Sequence, residues 1–239
     1  MKEKRRTVQQ NSQGTNLHNG WCSVANRRNG SPFYEVSRAL YNKMVANTGD
    51  IRLNTMVLLT GAQGSVIDAG YATATDVRNS DIIVLQKHGG QTAATATNGA
   101  NPDFMVCRLS EMYLIKAEAR AQAADYAGVA SALQTIVTAR FTTPYTVTAP
   151  TTAQAAWKAV LDERRKELAF EGFRYIDLKR IGTLAATGLD RDAAEYASAS
   201  WNFPAGNPSN LPLTSYKFTL PIPTDELNAN SSIQQNPGY

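Results

Sequence analysis

Apolar residues recur at helical spacing through most of the second half of the chain. In RLSEMYLIKAEARAQA (108–123), Leu109, Met112, Tyr113, Lys116 and Ala117 fall on one face, and Ile115 and Ala119 widen it. AGVASALQTIVTAR (127–140) repeats the period through Val129, Ala132, Leu133, Ile136 and Val137. The small-residue joint AADY between them predicts an antiparallel helix pair. Small residues at the approach, a tyrosine near the joint and an apolar inner face give this pair the character of one tetratricopeptide-like unit. No second clear copy occurs at the expected period, and the pair alone indicates a helical interaction scaffold.

A third helix is predicted over TAQAAWKAVLDERRKELAF (152–170), with Thr151 or Thr152 as N-cap and Trp157, Val160, Leu161, Leu168 and Phe170 as its apolar residues. Gly172 interrupts it, and FRYIDLKRIG (173–182) continues as a short helix ended by Gly182. Tyr113, Trp157 and Tyr175 sit in helical patterns and are read as core. Upstream, SRALYNKMVA (37–46) carries helical spacing in Leu40, Met44 and Val45 beside Tyr41. DIIVL (81–85) is the one convincing short strand, and GGQTAATATNGANP (89–102) reads as a long surface loop closed by Pro102.

Composition changes this picture little. At 239 residues with 43% hydrophobic and 18% charged residues, the chain has the make-up of a globular protein with a real core. Runs such as MVLL (56–59) and DIIVL are far too short to span a bilayer. The net charge of +4 suggests a nucleic-acid binder until it is located. Lys2, Lys4, Arg5, Arg6, Arg27 and Arg28 stand against Glu3 alone in residues 1–30, a Gln-, Asn- and Gly-rich stretch that reads as a flexible basic segment. Aromatics are not interleaved with a basic face, so nucleic-acid binding is disfavoured. MKEKRR has the charge of a secretory n-region, but no apolar h-region follows, and Cys22 lacks the aliphatic run that precedes a lipid-modified cysteine. Cys22 and Cys107 lie in no CxxC. With only His18 and His88 beside them, no metal site or cofactor is expected.

The densest chemistry lies in ERRKELAFEGFRYIDLKR (163–180). Glu163, Glu167 and Glu171 share an i, i+4 ridge, with Arg164, Arg165, Lys166, Arg174 and Arg180 as nearby counter-charges. A glycosidase pair faces its partner across a cleft and does not repeat along one helix. No histidine accompanies the ridge for acid–base work. These residues are read as an ion-pair network tying helices together, not as a catalytic site.

Three blocks carry a resemblance. RLSEMYLIKAEARA, LDERRKELAFEGFRYIDLKRIG and LPIPTDELNANSSIQQNPGY are similar, in order and spacing, to hallmarks of the SusD/RagB family, and SRALYNKMVANTGDIR resembles more loosely an upstream stretch ending in a D-x-R turn. The resemblance covers residues 31–239 and identifies them as the C-terminal, distal portion of a SusD/RagB-like domain. Members of that family are longer, with a lipoprotein signal and lipid-bearing cysteine at the start. It implies a mainly α fold of tetratricopeptide-like helical hairpins with long irregular loops. It also implies a surface-exposed outer-membrane lipoprotein of Bacteroidetes, attached only through the parent protein's lipid anchor and serving polysaccharide utilization. The implied partners are a glycan or other nutrient and a SusC-like TonB-dependent transporter, with no reaction to catalyse.

Sugar capture needs flat aromatic faces with polar neighbours. Trp21, Tyr34, Tyr71 and Trp201 lie in loop-like, polar surroundings and are the candidate ligand contacts. None is carried over from the family, which shows no ligand motif at fixed spacing. Two other classes stay open: a helical-repeat adaptor binding a peptide, and a glycoside hydrolase.

Overall fold

The computed structural model describes residues 36–57, 59, 61, 65, 67, 83–85, 87, 106–192 and 210–239. The 1–30 segment, the 89–102 loop, Cys22 and both histidines lie outside them. Within them the protein is mainly helical. Helix α1 (Arg38–Val45) starts where the Ser37 hydroxyl accepts from the Leu40 amide at 3.3 Å. A short α2 (Arg52–Met56) follows. The hairpin is α3 (Leu109–Gln122) and α4 (Tyr126–Thr138). At its joint Ala124 takes φ 57°, and the Asp125 carboxylate accepts from the Gly128 amide at 2.8 Å, capping α4. Helix α5 (Ala153–Glu167) is capped by the Thr152 hydroxyl, which accepts from the Ala155 amide at 3.1 Å. Helix α6 (Phe173–Ile181), a 3-10 turn (Tyr216–Phe218) and α7 (Thr224–Ala229) complete the helices. Strands β1 (Leu189–Asp190) and β2 (Asn210–Leu211) pair antiparallel, Leu189 opposite Leu211.

Two apolar cores form, both touched by the segment around the end of α5. The larger joins Leu114, Ala117 and Ala121 of α3 to Val129, Leu133 and Ile136 of α4, Trp157, Val160 and Leu161 of α5, and Leu178 and Ile181 of α6. The smaller gathers Val36, Leu40, Met44, Met56, Val57, Ile83 and Leu85. Leu168 enters the first core, whereas Ala169 and Phe170 enter the second. Each fully buried Leu, Ile, Val or Met side chain among them contributes ~1.5–3 kcal/mol.

That switch of sides corrects the predicted extent of α5. The helix stops at Glu167, well before Gly172; Phe170 takes φ 62° and Gly172 φ 85°. One continuous helix would not serve both cores with successive residues. The buried face of α3 is only partly the expected one: Ala117 is buried and Tyr113 packs against the core, but the larger apolar residues are not. Leu109, Met112 and Ile115 are 72%, 43% and 48% exposed, and the packed stripe is Leu114, Ala117 and Ala121. Small alanines permit the close approach to α4 and α5 that larger side chains would prevent. Tyr175, read as core, is exposed, and of the spaced residues in α1 Leu40 and Met44 are buried while Val45 is exposed. Within 81–85, described residues Ile83, Val84 and Leu85 are buried, but they form no extended ladder: Leu85 makes an isolated bridge to Val57, and the Ile83 carbonyl accepts from the Val36 amide at 2.9 Å.

The C-terminal tail is fastened by side chains. Gln235 accepts from the Ile222 amide at 2.8 Å and donates to the Ile222 carbonyl at 2.9 Å. Asn236 Nδ2 donates to the Leu220 carbonyl at 2.7 Å, and the Tyr239 hydroxyl donates to the Thr219 carbonyl at 2.9 Å.

Candidate functional site

The helical period of α5 sets Glu163 and Glu167 one turn apart on one face, and that face meets cations from distant segments. Glu167 is enclosed, its side chain 1% exposed. Arg140 approaches with Nη2 at 2.7 Å from Oε1 and Nε at 3.0 Å from Oε2. Arg108 Nη1 lies 3.0 Å from Oε1, and Arg52 Nη1 lies 3.0 Å from Oε2. Glu163 binds Arg52 at 2.6 Å and Lys166 at 2.7 Å. Arg52 in turn grips Asp50, two residues before it, with Nε at 2.9 Å and Nη2 at 2.7 Å. The D-x-R turn is thus the near end of this centre.

Beyond the helix, Glu171 pairs with Lys87 at 2.5 Å and Arg108 at 2.9 Å. Lys87 also donates to the carbonyls of Glu167 (3.1 Å) and Ala169 (2.8 Å), and Arg108 donates to the Glu167 carbonyl as well. Carbonyls left unpaired where α5 ends are therefore met by cations, which the helix dipole also favours there. The ridge carboxylates are buried as an ion-pair network, as the sequence suggested. Most of the partners, however, are not the neighbours in the charged block. Only Lys166 pairs with the ridge; Arg52, Lys87, Arg108 and Arg140 supply the rest.

The block's own arginines serve a second centre. Arg164 Nε contacts Asp177 at 2.8 Å, and its Nη1 lies 3.1 Å from Glu118. Arg180 forks onto Glu118 at 2.9 Å through both terminal nitrogens and reaches Asp177 at 3.0 Å. Arg165 and Arg174 share the half-exposed Asp190, at 3.1 and 3.8 Å. Arg174 Nη1 and Nη2 are buried without a hydrogen-bond partner.

Protonation follows from these contacts. Burial alone would push the Glu167 carboxyl up, but the Arg140 hydrogen bond and the charges of Arg108, Arg140 and Arg52 outweigh it and hold it at about 2. Burial and the neighbouring Arg165 pull Arg174 down to about 10. Burial likewise lowers the Lys87 ammonium despite Glu171. A carboxylate ionised down to about 2 cannot act as a general acid near neutral pH. Among the described residues no His, Cys, Asp and Glu group is arranged to hold a metal ion, and Cys107 is an exposed free thiol.

Trp21, Tyr34, Tyr71 and Trp201 all lie outside the described residues. Trp157 is buried in the larger core, and Tyr113 packs against it. Sequence reading passed over an aromatic group near the end of the chain. Tyr216 and Tyr239, 46% and 49% exposed, meet edge to face with ring centroids 5.1 Å apart. Tyr175 stacks on Phe218 at 6.2 Å and donates its hydroxyl to the Phe218 carbonyl. The signal was available: Tyr216 and Tyr239 sit outside helical periods, among turn-forming residues, as Trp21 and Trp201 do.

Comparison with known proteins gives the architecture its relatives. A Bacteroides vulgatus structure with a provisional sugar-binding assignment shares 26% identity at a TM-score of 0.58, covering 85% of this chain and 39% of that one. A B. vulgatus SusD superfamily protein matches at 26% identity and TM-score 0.58, over 86% of this chain and 39% of that one. A SusD-like carbohydrate-binding protein from the same species has the same fold at 20% identity and TM-score 0.57, with coverage of 85% and 42%. The chain thus spans about two fifths of the length of these solved relatives. Among curated proteins none matches it. The family model described as the SusD family matches residues 7–239, nearly the whole chain, and the protein belongs to that family.

Proposed function

We propose that this chain is part of a non-catalytic glycan-binding protein of a SusC/SusD-type outer-membrane uptake system, which captures oligosaccharide for a TonB-dependent transporter. The observation that carries this reading is the SusD family match across residues 7–239. The provisional sugar-binding assignment of a relative at 26% identity agrees with it. Among the described residues no helix is long and apolar enough to cross a membrane, and attachment through a lipid anchor of the parent protein requires none.

The carboxylates support a binding role over hydrolysis. A glycosidase needs one carboxyl kept protonated beside a second facing it. Glu167, the most enclosed of the ridge, is held ionised by three arginines. Trp21, Tyr34, Tyr71 and Trp201 remain proposed ligand contacts, as stacking faces for pyranose rings.

The test is native affinity electrophoresis through gels containing starch, xylan, mannan or pectin, with a reducing-sugar assay on the same polysaccharides. Retardation without sugar release is expected. Free migration in every gel would overturn the glycan-binding reading, and release abolished by Glu167→Gln in a folded protein would make the chain a hydrolase.

A further inference from the structure

We propose that Tyr216, with Tyr239 set edge to face against it and Gly238 behind it, is a sugar-contact subsite on which a pyranose ring stacks; this rests on the glycan-binding reading above. Neither ring belongs to either core, and both stand about half exposed. A tyrosine ring joins a large apolar area to a polar tip, which suits it to a recognition surface that is part dry and part wet. A pyranose presents a face of C–H groups that matches an aromatic face, while its rim of hydroxyls needs donors and acceptors nearby.

The rings are held in place before any ligand arrives. The Tyr239 hydroxyl is tied to the Thr219 carbonyl, and the Gln235 and Asn236 bonds fix the tail that carries it. Tyr216 sits in the 3-10 turn, whose Ser215 hydroxyl accepts from the Lys217 amide at 3.4 Å. Gly238 lies against the Tyr216 ring with φ +96°, and a Cβ there would come within 2.5 Å of the ring's Cγ. The glycine therefore allows the tail to back that ring, while much of the ring stays in solvent. Rings so fixed lose little freedom on binding, which is how tyrosine serves in other recognition surfaces. Nearby in sequence, Asn236 donates Nδ2 to the Leu220 carbonyl and has Oδ1 as a further acceptor, and Lys217, next to Tyr216, is exposed.

Tyr145 is a matched control. It is 45% exposed and stacked on Phe141 at 4.6 Å, in the segment after α4.

The experiment uses the 239-residue chain in the four polysaccharide gels. In whichever gel retards wild type, Tyr216→Ala should weaken the apparent Kd by about fivefold or more, the lower end for losing one stacked aromatic. Tyr216→Phe should stay within about twofold and Tyr145→Ala should match wild type. A second measurement needs no variant: acetylation of wild-type tyrosines by N-acetylimidazole, read by mass spectrometry. The retarding polysaccharide should protect Tyr216 and leave Tyr145 reactive. Wild type retarded, with Tyr216→Ala equally retarded or Tyr216 unprotected, would overturn the subsite and leave the glycan-binding reading standing. Equal losses in Tyr216→Ala and Tyr145→Ala would also overturn the subsite. Wild type unretarded in all four gels would overturn both.

Discussion

Replacing Glu167 by glutamine keeps its shape and removes the charge on which Arg52, Arg108 and Arg140 converge. The magnitude follows by two routes. Holding the carboxyl at about 2 against its ordinary 4.5 corresponds to ~3 kcal/mol favouring the ionised form. Removing one member of a buried, hydrogen-bonded ion pair costs ~3–5 kcal/mol in general. At pH 7, guanidinium titration followed by far-ultraviolet circular dichroism should therefore show Glu167→Gln destabilised by ~3–5 kcal/mol with an unchanged slope. The pH dependence has a definite sign. Glu167 has a folded value below its unfolded one, so its contribution is complete above about 4.5 and is lost as pH falls through about 2. Wild type and variant should converge across that window. As a reference, Arg120→Ala breaks a pair with Asp125 whose side chains are 50% and 39% exposed, and should cost only ~0–1 kcal/mol. A Glu167→Gln variant within ~1 kcal/mol of wild type at pH 7 would mean that desolvation cancels the ion pairs, and the centre would not stabilise the fold.

Three further outcomes are expected. Arg174→Leu should leave the denaturation midpoint unchanged or raise stability by ~1 kcal/mol, because the arginine's terminal nitrogens are buried without hydrogen bonds and its ion-pair partner Asp190 is half exposed and 3.8 Å away; a clear loss would mean that this pair outweighs the cost of burying the guanidinium. Thr152→Ala should cost ~1 kcal/mol by thermal melting, through loss of the α5 cap, and Thr152→Asn should restore most of it. Leu109→Lys with Ile115→Lys should reduce binding of an apolar dye and any self-association seen in sedimentation without lowering stability, since both side chains already face water. A large drop in melting temperature would place them in a packed interface.

Helix positions were the most legible part of the chain. The sequence period located α3, α4, α5 and α6 to within a few residues, because each has an apolar stripe and a recognisable start or stop. Orientation was less legible where a helix carries two apolar stripes. In α3, Leu109, Met112 and Ile115 outweigh Leu114, Ala117 and Ala121 in bulk, yet the smaller stripe is buried because alanine admits a neighbouring helix. Ion-pair geometry was half legible. Repetition of Glu163, Glu167 and Glu171 announced a shared ridge, but Arg52 lies 115 residues from Glu167 and Lys87 lies 84 residues from Glu171. Local charge patterns hold no information at such separations. The end of α5 was misplaced because Gly172 is the obvious breaker, whereas the break answers to two cores competing for Leu168 and Ala169. Among aromatics, the sequence criterion selected Trp21, Tyr34, Tyr71 and Trp201, which lie outside the described residues, and passed over Tyr216 and Tyr239.

The attachment of the last residues has a consequence for how sequence change would be tolerated there. A strand joined by a backbone ladder accepts almost any side chain, because the bonding groups are common to every residue. Here Gln235, Asn236 and Tyr239 bond the carbonyls of Ile222, Leu220 and Thr219 with their side chains, so identity and spacing are both fixed. Shortening Gln235 to asparagine would withdraw its amide from Ile222, and inserting one residue before Gly238 would carry Tyr239 out of register with Thr219. The closing QNPGY works as a key cut to one backbone, and its specificity belongs to the chain's own architecture before any ligand is considered.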